Sequence, residues 1–85
     1  MTLLKNFLEK DVSVMRKAII QALEDRYQAQ ISEADATLKI FLDHSVGIGE
    51  HSKVLQEIND WTCKLSEANE NLDSLKKYFE DDGYV

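Results

Sequence analysis

No proline occurs in these eighty-five residues, and only three glycines do. Proline and glycine are the residues that ordinarily cut a helical pattern into pieces, so a chain this poor in both is expected to form long helices. A single cysteine, Cys63, closes no internal disulfide, which suits a reducing compartment. No apolar run approaches the ~18 residues that a bilayer span needs, and the N-terminus lacks the apolar core and small-residue cleavage site of a signal peptide. The expectation is a soluble, cytoplasmic chain without a membrane partner. Basic residues are scarce as well: ten against sixteen acids give a net charge of −6. That balance disfavours attraction to phosphates, so no nucleic-acid partner is expected.

What is present is helical periodicity on both sides of one short stretch, residues 43–52, which holds two of the three glycines. Gly47 and Gly49 take positive φ without strain, so a helix is expected to stop and reverse there. The second arm, residues 52–80, places Val54, Ile58, Trp61, Leu65, Ala68, Leu72, Leu75 and Phe79 at successive a and d positions of a heptad. Four heptads without a slip signal helix packed on helix. In that frame Cys63 falls opposite the seam, and exposure is expected for it. The first arm, residues 12–43, is less regular. From Tyr27 the stripe is narrow, through Ile31, Ala34, Leu38 and Phe41; before Tyr27 it broadens, through Val12, Val14, Met15, Ala18, Ile19, Ile20, Ala22 and Leu23. The broad end is expected to touch more than one neighbour.

Residues 2–11 carry Leu3, Leu4, Phe7 and Leu8 at helical spacing, and Asp11 or Ser13 is a candidate cap for a new helix. The expected fold is therefore all-α: an antiparallel, coiled-coil-like hairpin in a single domain over residues 1–85. Its parts are a short amphipathic helix (2–11), a first long helix (12–43), a link (44–51), a second long helix (52–80) and a tail (81–85); with no Gly or Pro to force a break, the sequence leaves open whether residues 2–11 fold back or continue the first long helix. Pairing across the link should set Phe41 and Leu42 near Val54 and Leu55, Leu38 near Ile58, and Ile31 and Ala34 near Trp61 and Leu65. Further out, Tyr27 should meet Ala68, Leu23 and Ile20 should meet Leu72 and Leu75, and Met15 should meet Phe79. Two helices touching along one line are marginal, so a third surface is expected, supplied by residues 2–11 and by self-association, a homodimer first of all. Leu3, Leu4, Phe7, Leu8, Val12, Met15 and Ile19 are the candidate contact residues.

Chemistry has few footholds. Asp43, His44, Glu50 and His51 offer two imidazoles and two carboxylates, legitimate ligands for zinc, and a small metal-binding protein centred on the link is the competing reading. The spacing matches no standard site, and His44 and Glu50 are equally explained as complements to the helix dipoles. Gly47-Ile48-Gly49 has neither the preceding strand nor the Lys-Ser/Thr of a phosphate loop, so Val46 and Ile48 read as plugs at the end of the hairpin. The histidines sit about three turns from Cys63, too far to activate it as a nucleophile. No cofactor and no enzymatic activity are expected.

The link motif Val46-Gly47-Ile48-Gly49-Glu50-His51, after an Ala/Leu-rich arm and before an arm ending Leu75-Lys76-Lys77-Tyr78-Phe79, resembles small uncharacterised proteins of T4-like tailed bacteriophages. The resemblance covers residues 24–80. It implies a viral protein made inside a bacterium and brings no activity with it. On this reading the chain is a non-enzymatic helical interaction module, a phage accessory or assembly protein acting through its own copies or through a host protein.

Overall fold

A computed structural model of the chain describes the backbone of residues 2–44 and 51–80 and the side chains of residues 12–44 and 53–79. Helix α1 spans Thr2–His44 and helix α2 spans His51–Leu75, followed by a π-helical turn, Lys76–Glu80. The described residues contain no strand. The break between the helices falls at the glycine-bearing stretch, whose residues 45–50 lie outside those described. The all-helical hairpin expected from the apolar spacing is therefore the observed architecture.

The register is antiparallel. Phe41 shares one recess with Val54, and fourteen residues back along α1, Tyr27 shares a groove with Ala68, fourteen residues on along α2. Carried further, this register brings Met15 level with Glu80. Residues 2–14 of α1 thus extend past Glu80, an overhang of about 20 Å at 1.5 Å per residue. The whole measures 71 × 16 × 15 Å, with a radius of gyration of 19.8 Å. A globule of this length would have about 12 Å. This is a rod two helices thick.

Its core is thin for that reason. Among the described residues the buried apolar side chains are Ala34, Val54, Ala68, Leu72 and Leu75, and the two alanines are the most enclosed, at 0% and 2% exposure. Ile20, Leu23, Tyr27, Ile31, Leu38, Phe41, Ile58, Trp61 and Leu65 are half-buried along the same line. Four side-chain hydrogen bonds among the described residues run along single helices: Gln21 Nε2 donates to Asp25 (2.9 Å), Lys39 Nζ to Asp35 (2.8 Å), Gln56 Nε2 to Asp60 (2.8 Å) and Thr62 Oγ1 to the Ile58 carbonyl (2.7 Å). Each spans four residues; the three side-chain pairs support their own helices, whereas the Thr62 hydroxyl shares a carbonyl already bonded within α2.

Three expectations need correction. Residues 2–11 are not a separate short helix; α1 runs unbroken through Asp11, because neither proline nor glycine interrupts it and a cap residue alone does not stop a helix whose neighbours are helix formers. Leu42 and Leu55 are not seam residues: they are 62% and 69% exposed, one position beyond Phe41 and Val54 and so rotated by about 100° to the flank. Met15 and Phe79 do not close the far end of the seam, being 62% and 48% exposed. Phe79 lies in the π-helical turn, level with Arg16 and beyond Ile20, where α1 presents no half-buried apolar side chain to cover it.

Candidate functional site

Exposed large apolar side chains gather at the two ends of the rod. Ile40, Leu42 and Leu55 stand near the link, whereas Val12, Val14, Met15, Ile19, Tyr78 and Phe79 stand where α2 finishes and α1 continues. The second group has a definite phase. Val12, Met15 and Ile19 follow the same three- and four-residue steps as the seam. They lie about 100° round the helix from Ile20, the first half-buried seam residue. In the seam's own phase the preceding residues are Lys17 and Ser13, both exposed. The apolar face of α1 therefore changes sides at Ile19–Ile20, and α2 covers only the face that begins at Ile20.

Of the candidate contact residues, Val12, Met15 and Ile19 are thus presented together on an exposed face. The side chains of Leu3, Leu4, Phe7 and Leu8 lie outside the described residues, though their backbone belongs to α1. The link candidates Val46, Gly47, Ile48, Gly49 and Glu50 lie outside them too, as does the side chain of His51. Asp43 and His44, the described members of the metal reading, are exposed. Among the described residues no cluster of three or more metal-ligating side chains occurs, and no helix is long and apolar enough to cross a membrane. Cys63 is exposed, as its place opposite the seam leads one to expect.

Two features escaped the apolar pattern. Glu24 occupies the seam phase between Ile20 and Tyr27, is half-buried, and keeps its Oε1 out of solvent without a hydrogen-bond partner. Carrying the alternation of four and three back from Ile31 through Tyr27 lands on Glu24, not Leu23; that signal was available to the eye that follows phase and ignores polarity. The other is a groove of about 400 Å³ along one flank of the seam, with Tyr27 and Trp61 beside the charged Arg26, Glu33, Lys64 and Glu67. Lys64 Nζ lies 4.1 Å from the centre of the Trp61 ring. Trp61 is consequently half-buried, one face in the seam and one under an ammonium, where the heptad alone predicts a core residue. The groove holds two bases against two acids and selects no ligand charge.

Among the described residues the grooves at the seam bring no nucleophile and base together, and the end where α2 finishes is apolar and sided. No family model matches the chain, and neither a characterised protein nor a solved structure matches it.

Proposed function

We propose that the chain is a non-enzymatic helical interaction module that acts by self-association, a homodimer in its simplest form. In the setting the link motif suggests, it serves a phage as an accessory or assembly protein in the bacterial cytoplasm. The single observation that supports this best is the exposed group Val12, Met15, Ile19, Tyr78 and Phe79 at the open end of the hairpin. Apolar side chains gathered in this way are costly to leave in water and mark a surface that another chain covers.

Surface area points the same way. The chain exposes 6796 Å², whereas a folded monomer of 9.8 kDa exposes about 5,200 Å². The excess, about 1,600 Å² for one chain, is about twice what one partner buries in an interface of ordinary size, about 800 Å². Association is the direct way for so thin a rod to reach the surface-to-mass ratio of a stable domain.

The test is molar mass by light scattering behind a sizing column, from low to high micromolar protein. A dimer or larger assembly is expected. A monomer throughout, with a cooperative melt, would refute the proposal.

A further inference from the structure

We infer that two copies of this chain pack face to face as an antiparallel four-helix bundle, through the flank that bears the groove beside Tyr27 and Trp61. A two-fold axis at mid-hairpin sets α1 on α1 and α2 on α2. The inference rests on the self-association reading and adds the surface and its symmetry.

The flank is defined by position in the repeat. Ile19, Arg26, Glu33 and Ile40 each stand one residue before a seam residue of α1, so all four are rotated by about 100° to the same side. Lys64 and Glu67 stand one residue before Leu65 and Ala68 of α2. The groove unites the two rows, since Arg26, Glu33, Lys64 and Glu67 all line it. All six side chains are exposed, the two isoleucines to 57% and 62%. Leu42 and Leu55 stand one residue after the seam and therefore on the opposite flank.

Two bases and two acids select no small ion, but the order in which they stand selects a second copy. An antiparallel copy reverses each helix about a centre. On α1 a centre between Ala29 and Gln30 sets Arg26 opposite Glu33 and Ile19 opposite Ile40. On α2 a centre between Leu65 and Ser66 sets Lys64 opposite Glu67. Each helix calls for its centre independently, and the register of Phe41 beside Val54 and Tyr27 beside Ala68 makes the two centres level. One axis therefore serves both charge pairs, as an interface that uses one patch twice requires. The other charges on this side of α2 meet no like charge, because Lys53, Glu57 and Asp60 fall opposite Tyr78, Ser74 and Asn71.

Length and area agree with this axis. Its level is the midpoint of the stretch that the two helices share, residues 15–44 beside 51–80, so the hairpins overlap along all of it. That stretch is about 45 Å long at 1.5 Å per residue. With a width of 16 Å it offers about 700 Å² of flat contact, close to the ~800 Å² that one partner buries in an ordinary interface. The 16 × 15 Å end of the rod offers only about 240 Å², too little for a stable pair.

Charge reversal tests the pairing. Arg26→Glu sets a carboxylate against Glu33 of the other copy, twice in each pair, and should raise the dimer dissociation constant at least tenfold. Glu33→Arg should do the same. Combining the two changes in one chain restores both contacts and should return the constant to within threefold of the original. An equimolar mixture of the two single variants should dimerise equally well. Leu42→Glu with Leu55→Glu should change the constant less than threefold, and circular dichroism should show retained helicity in every variant. Cys63, exposed and level with Ser32, stands close to the axis, so nitroxide labels on it in the unaltered chain should lie within about 25 Å of each other by double electron–electron resonance. A dimer that is indifferent to Arg26→Glu, that the combined reversal fails to restore, that is broken at Leu42 and Leu55, or whose labels lie beyond about 25 Å overturns this arrangement and leaves self-association standing. An assembly larger than a dimer overturns the closed two-fold pair, and a monomer at every concentration overturns both proposals.

Discussion

Lys64 holds its ammonium 4.1 Å above the Trp61 ring, one turn further along α2. The contact covers the outer face of an indole whose inner face lies in the seam, and it makes Trp61, the sole tryptophan, a reporter of the hairpin's middle. Lys64→Ala should shift Trp61 emission to longer wavelength, because water replaces the ammonium and its stem. Stability should fall by about 0.5–1 kcal/mol, the usual range for an exposed cation–π pair. An unchanged emission maximum would mean that the ring is already wet.

Glu24 is a polar residue in an apolar row, with one carboxylate oxygen cut off from water and unpartnered. Leaving such an oxygen unsatisfied costs about 1–3 kcal/mol. Glu24→Leu is therefore expected to stabilise the hairpin by about 1–2 kcal/mol, at the low end of that range because the residue is only half-buried. The check is a urea midpoint that rises at unchanged slope, compared at equal protein concentration because association contributes to stability. A fall in the midpoint would show that Glu24 has a favourable role the seam conceals.

Ala34 has no exposed surface, whereas Ala29, on the same helix, is exposed. Two helices approach closest where side chains are smallest, and a larger side chain there must push them apart. Ala34→Leu should cost about 1–3 kcal/mol by overpacking. Ala29→Leu should leave the melting temperature nearly unchanged, since both residues are good helix formers. Equal effects at the two positions would contradict the seam as described.

Lys39 donates a 2.8 Å hydrogen bond to Asp35, and that bond first, with the Asp35 charge second, holds the ammonium pKa above its ordinary 10.5. A base whose pKa is raised on folding contributes all of its stabilisation below the unfolded value and loses it as pH rises through the folded one. The difference in melting temperature between the wild-type chain and Lys39→Met should therefore be constant between pH 7 and pH 9 and fade only above pH 10.5. It should also be small and shrink in salt, because both side chains are well exposed. A difference that varied between pH 7 and pH 9 would implicate another titrating group.

How far the chain could be read in advance differs between its two arms. Along α2 the heptad from Val54 to Leu75 was legible residue by residue, because one neighbour covers one stripe and the apolar side chains record it. Along α1 the broad apolar band before Tyr27 does not say which of its residues face α2. The division at Ile19–Ile20 became visible only once α2 was seen to cover Ile20 and Leu23 and leave Met15 and Ile19 exposed. Glu24 was overlooked because an apolar tally passes over a carboxylate standing in phase with it.

Helix content, the position of the reversal, and antiparallel pairing follow from local chemistry: no proline, glycines confined to one internal stretch and the C-terminal end, and a period that brings the same face round every two turns. Those are properties of neighbouring residues and need no knowledge of what lies opposite. The exposure of Met15 and Phe79 and the unequal reach of the paired helices were decided in the tertiary structure. Each depends on where the partner helix stops. That boundary is a balance of contacts between residues some sixty positions apart, and it leaves no mark on either segment alone.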